Sequence, residues 1–164
     1  MNGKISLLIG EIEKSLDQLT RLEELFRRST DQLADDQRTL EKAVFLSEVF
    51  VNTYTCMETL FFRISQFFEN SLTQEQWHRD LLDKMRLRIP DIREPVISDE
   101  TFALLDEFRR FRHFKRYYFS MDYDWDRIDY LARKFDRLSR RYPDELRTFS
   151  AFLERLKEKS RVLR

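Results

Sequence analysis

The sequence predicts an all-α fold, an up-and-down bundle of five or six helices opening on a long N-terminal helical hairpin. Three observations carry that prediction. Glycine and proline are scarce, two and three in 164 residues, so few positions suit the tight turns a sheet needs. Hydrophobic residues make up 41% and charged residues 37%, a mixture that suits helices with one buried and one solvated face. Apolar residues recur every seven positions through Ile5, Ile12, Leu19, Phe26 and Leu33, which is a helical period. At this length one domain over residues 1–164 is expected, with a core rich in the 15 phenylalanines.

Taken in order, the first helix follows that heptad stripe, reinforced by Ile9 and Leu16. Asp35 or Asp36 is placed to cap a second long helix carrying Leu40, Val44, Val51, Tyr54, Met57, Phe61, Ile64 and Phe68. Thr73 followed by Gln76 is a capping-box pattern that opens a shorter helix with Trp77, Leu81, Leu82 and Met85, ended by Pro90. Residues 89–97 hold two prolines and read as a crossover. Ser98 then caps a helix running through Phe102, Leu105, Phe108 and Phe111. Asp124 or Asp126 caps a helix with Ile128, Leu131, Phe135 and Leu138, and Pro143 breaks or kinks it before Leu146, Phe149, Phe152, Leu153 and Leu156.

The same composition narrows the function classes. A single cysteine, Cys56, excludes an internal disulfide, and no leader pattern is read at the start, so a cytoplasmic protein is expected. The most apolar run, residues 59–68, is interrupted by Arg63 and Gln66 and is too short to span a bilayer. Thirty basic and thirty acidic residues balance to zero, although residues 109–141 hold eleven basic against five acidic side chains. No metal site or cofactor is expected. His78 has no ligand-type neighbour at suitable spacing, and Cys56 reads as a small core residue. Asp122, Asp124 and Asp126 imitate the start of a calcium loop but lack its glycine and closing glutamate.

Chemistry concentrates between Arg109 and Phe119. On a helix, Arg109, Arg112, His113, Arg116 and Tyr117 share one face, while Leu104, Phe108, Phe111, Phe114 and Tyr118 form the opposite, aromatic side. Guanidinium forks match phosphate oxygens, so Arg109, Arg112 and Arg116 form a candidate RNA or phosphate face. The alternative is intramolecular pairing with Asp122, Asp124, Asp126 or glutamates elsewhere, and charge patterning alone does not separate the two.

The string RRFRHFKRYYF, within LLDEFRRFRHFKRYYFSMDYDWDRI, resembles the signature region of HepT-like members of the HEPN superfamily. The upstream EQWHRDLLDKMRLRIPDIREPVISDET and the closing LRTFSAFLERL are similar to the same family. That resemblance implies a HEPN-like helical bundle acting as a homodimer, and metal-independent RNA cleavage by the toxin of a toxin–antitoxin pair. The family signature is an arginine, four residues, a histidine, one residue and a tyrosine. Its arginine falls on Arg112, its histidine on Tyr117 and its tyrosine on Phe119. The resemblance therefore implies catalysis centred on Arg112 and Tyr117, with cleavage lost or altered, because a phenol with a pKa near ~10 is a poor substitute for imidazole; His113, one turn before Tyr117 on the same helix face, is the further catalytic candidate. It also implies a minimal nucleotidyltransferase-like antitoxin as partner. Since Phe119 has no hydroxyl, Tyr117 and Tyr118 become the candidate nucleotidylation acceptors. The rival expectation is a catalytically silent helical module that binds RNA, such a transferase, or an acidic protein surface.

Overall fold

The computed structural model describes residues 2–31, 37–69, 77–117 and 123–162, and the side chains of all of these except 77–79, 117, 161 and 162. Among the described residues six helices follow one another: α1 (Asn2–Thr30), α2 (Leu40–Glu69), α3 (Trp77–Met85), α4 (Asp99–Tyr117), α5 (Trp125–Ser139) and α6 (Tyr142–Val162). No strand is present among them, and no helix is long and apolar enough to cross a membrane. The fold is all-α, with α1 and α2 forming the long N-terminal hairpin.

The heptad stripe of α1 is its buried face, since Ile5, Ile12, Leu19 and Phe26 are all sealed in the core; Leu33 lies outside the described residues. Helix α2 differs from the single-stripe expectation. It packs against α1, α3, α4 and α5, so its burial extends around much of its circumference. Phe50, absent from the predicted stripe, is fully buried and within 6.2 Å of the rings of Phe26, Phe108, Phe111 and Phe135. Burying such a ring contributes roughly 1.5–3 kcal/mol before edge-to-face terms are added. Conversely Leu40, at the start of α2, is 45% exposed.

Caps were partly placed by sequence. Ser98 Oγ accepts from the Thr101 amide at 3.2 Å and Asp124 Oδ1 from the Asp126 amide at 2.9 Å, so both predicted caps are present. At the start of α2, Thr39 Oγ1 accepts from the Lys42 amide at 3.2 Å; Asp35 and Asp36 lie outside the described residues, as does the Thr73–Gln76 pattern. Pro143 sits in the first turn of α6, where a missing amide costs least, and the break expected there separates α5 from α6.

Helix α3 ends at Met85, earlier than Pro90, and the crossover after it is organised by a buried charge. Arg93 turns inward from a tight turn bounded by the Ile89–Arg93 bridge, with Asp91 at φ 62° in the left-handed region. Its Nε and Nη2 donate to Glu69 Oε1 at 3.3 and 2.9 Å, Nη1 to the Leu87 carbonyl at 3.1 Å, and Nη2 also to the Lys84 carbonyl at 2.9 Å. Burial works against the Glu69 charge, but the hydrogen bonds and charge of Arg93, with Lys84 beside it, outweigh that and hold the carboxyl below its ordinary range.

Candidate functional site

Helix α4 carries the signature segment. Ser98 fixes its start, Asp99 and Glu100 complement the positive N-terminal end of the dipole, and Lys115 and Arg116 complement the last turn. Leu104, Leu105, Phe108 and Phe111 bury one face between α2 and α5 and thereby aim Arg112 across the α2 surface. The aromatic side is less regular than its periodicity suggests. Phe114 is 41% exposed and lies under the Arg127 guanidinium, 4.7 Å from its ring centre, because α5 approaches this end of α4 with a cation rather than an apolar side chain.

Arg112 reaches one turn of α2 that presents Tyr54, Thr55 and Glu58. Its Nη2 donates to both Glu58 carboxylate oxygens at 2.9 Å, its Nη1 donates to Thr55 Oγ1 at 3.2 Å, and its guanidinium lies 4.6 Å from the centre of the Tyr54 ring. Nε makes no hydrogen bond among the described residues, and 20% of the Arg112 side chain remains exposed. The guanidinium is thus oriented by three α2 side chains without being sealed. Burial, then the adjacent Glu58 charge, push the Tyr54 phenol well above its ordinary value, so it stays protonated and offers Arg112 a neutral π face.

The other candidates separate. Arg109 Nε donates to Asp106 at 2.7 Å, one turn back on α4, and Arg110 pairs with Asp106 and Glu107. Lys115 Nζ donates to Glu48 of α2 at 2.7 Å. Counter-charges therefore come from α4 itself and from glutamates of α2; Asp124 is occupied as a cap, and Asp122 lies outside the described residues. His113 and Arg116 are exposed on the solvent side of α4. The backbone of Tyr117 closes α4, while its side chain, together with Tyr118 and Phe119, lies outside what is described. His78 is likewise outside, in its side chain, and Cys56 is half-buried against the core, its thiol pushed up by burial.

Glu58 is the member of this cluster that sequence reasoning missed. It stands four residues after Tyr54 and three before Phe61, both buried, so an acidic residue on the apolar side of α2 was the available signal. Buried carboxylates need a partner, and a cation elsewhere in the chain had to supply it.

Residues 45–153, which include Glu58, Arg112, most of α2 and all of α4, match the family described as HepT-like protein. The chain belongs to the HepT-like family. The match opens within α2, so all of α1 lies outside it. No curated protein and no solved structure matches this HepT-like chain.

Proposed function

We propose that this chain is a single-domain HepT-like component of a toxin–antitoxin pair that binds RNA as a homodimer at the face bearing Arg112, with metal-independent cleavage weakened by its altered signature. The observation that carries the reading is the state of Arg112. Its guanidinium is pre-oriented by Glu58, Thr55 and Tyr54, yet keeps Nε and a fifth of its surface for an incoming phosphate oxygen.

Cleavage of an RNA phosphodiester without metal requires the 2′-hydroxyl to lose a proton as its oxygen attacks phosphorus and the 5′-oxygen to gain one as it leaves. Arg112 supplies charge stabilisation for the phosphorane, with Arg109 and Arg116 as further phosphate contacts. Proton transfer is the deficient half. A phenol at position 117 is almost wholly protonated near neutrality, so it can donate but hardly accept, and Phe119 offers nothing. His113 supplies the remaining imidazole, roughly 6 Å back along the helix axis from Tyr117. Tyr117 and Tyr118 are the hydroxyls open to nucleotidylation by a minimal nucleotidyltransferase-like partner.

A labelled single-stranded RNA incubated with the protein in excess EDTA tests this reading. Binding with slow cleavage, both removed by Arg112→Ala, is the expected result. Converting Tyr117→His together with Phe119→Tyr should raise the cleavage rate by about 10²-fold or more, the usual contribution of a positioned acid–base group. No RNA binding at high protein concentration, or sedimentation as a monomer throughout, overturns the proposal.

A second reading rests on Phe114, an exposed aromatic on α4 stacked beneath Arg127. Such an amphipathic pair suits docking of a protein partner and supports a reading in which an antitoxin takes the α4–α5 side while RNA takes the α2 side.

A further inference from the structure

An open groove of about 510 Å³ runs between α1 and α2. Its functional lining is polar: Lys14, Gln18 and Arg21 from α1 face Asn52, Thr55 and Thr59 from α2. Leu22 and Leu25 add an apolar patch along the α1 wall.

Two features distinguish this groove from an ordinary solvated surface. The first is charge. Arg63 is paired with Glu11, but Lys14 and Arg21 have no carboxylate partner among the described residues, so the groove carries a surplus of positive charge spread over two turns of α1. The second is hydrogen-bonding polarity. Asn52 Nδ2 donates to Glu48 Oε1 at 3.3 Å, which leaves its carbonyl oxygen as an acceptor. Gln18 Oε1 faces the Cys56 thiol at 3.6 Å, which leaves its amide hydrogens as donors. The two amides therefore offer opposite polarities, the pattern that reads the mixed donor and acceptor edge of a nucleobase.

The groove also connects to the signature arginine. Thr55 lines it and, through Oγ1, accepts the hydrogen bond from Arg112 Nη1. The guanidinium is one side chain away from the groove wall.

We propose that the α1–α2 groove is an RNA subsite that leads a single strand to Arg112, with phosphates at Lys14 and Arg21 and a base edge at Gln18 and Asn52. This rests on the RNA reading above and adds a binding element from α1, a helix wholly outside the family match. The ribose and base faces lie over Leu22 and Leu25, and the strand leaves across Thr55 so that the next phosphate meets the open side of Arg112.

The test is an anisotropy titration of full-length protein with a short fluorescein-labelled single-stranded RNA across a salt series. Wild type is compared with Lys14→Ala/Arg21→Ala and with Arg155→Ala/Lys159→Ala, an equal loss of charge from exposed positions of α6. The groove variant should bind about tenfold more weakly, and its log K against log salt slope should shrink by about 1.4, the value for two lost phosphate contacts on a single strand. The α6 variant should keep the wild-type slope. Equal losses from both variants overturn the groove, because they report only net charge. RNA binding and cleavage that depend on Arg112 but ignore Lys14 and Arg21 also overturn it while leaving the RNA reading intact. Absence of RNA binding by wild type sinks both, and polyglutamate binding that requires Lys14 and Arg21 would then assign the groove to an acidic protein. Circular dichroism of each variant confirms that the helices are retained.

Discussion

Arg93 and Arg112 each reach α2 and pin one of its glutamates, Glu69 and Glu58 respectively, yet the surroundings give the two pairs opposite roles. Arg93 has no exposed side-chain surface, and its donors are spent on Glu69 and on the carbonyls of Lys84 and Leu87. Arg112 makes an equally short contact with Glu58 but keeps an open edge toward solvent. A sealed ion pair has no capacity for a ligand and acts as a staple. An oriented pair with an open edge is held ready at small cost, because the carboxylate that aims the guanidinium also offsets its desolvation.

That contrast can be broken most directly at Arg93. Arg93→Ala should lower unfolding free energy by about 3–5 kcal/mol in urea denaturation, since it strips the guanidinium hydrogen bonds from Glu69 and from the Lys84 and Leu87 carbonyls inside the fold and leaves Lys84 as a weaker counter-charge. Replacing both partners with apolar residues, Arg93→Met with Glu69→Leu, should recover much of that loss. A single-variant loss below about 1 kcal/mol would remove the distinction between the two arginines.

At the open pair the effect on stability should be smaller and the effect on binding larger. Arg112→Ala should cost about 1–3 kcal/mol of stability, as Glu58 is left with fewer donors, and should abolish RNA binding in the anisotropy assay. Glu58→Gln sharpens the point, because it keeps an acceptor for Arg112 while deleting the competing charge. RNA affinity should rise by about fivefold, on the order of 1 kcal/mol. A fall instead would mean that Glu58 contributes more by aiming the guanidinium than it subtracts by masking it.

The smallest effect is the acid limb of stability. The folded-state value of Glu69 is depressed, so its contribution is present above the unfolded carboxylate range, near pH ~4.3, and is lost as pH falls through the lower folded value. Asp136, lowered mainly by its hydrogen bond from Arg27, adds to the same limb. Denaturation curves of Glu69→Gln should show a shallower dependence below pH ~4 than wild type. An unchanged slope would mean that Arg93 fails to hold that carboxylate in its charged form.

How much of this was legible in the sequence follows from the range of each interaction. Local period and caps transmit well: the buried stripe of α1, the Ser98 and Asp124 caps and the helical order were all readable, because each depends on residues within a few positions. Phe50 was not, since a helix packed by four others buries more than one stripe and periodicity assumes a single face. Arg93 reads as a surface charge in a proline-bounded crossover, and Glu58 as a polar interruption, until a partner 24 or 54 residues away supplies the reason. Arg112 stood at the signature position in the sequence, whereas the side chains that orient it appear only in three dimensions. The departures at Tyr117 and Phe119 are the reverse case: they are read from residue identity alone.

Arg93 has a further consequence for how the molecule opens. Helix α3 spans nine residues, too few to persist alone in water. Two of the carbonyls near its C-terminus, Lys84 and Leu87, receive their hydrogens from the Arg93 guanidinium, and a third, Met85, receives the Val96 amide at 2.8 Å. The helix and its crossover therefore form one cooperative unit. In native-state hydrogen exchange the amides of α3 and of residues 89–97 should exchange at a common rate, set by release of a single arginine from the end of α2.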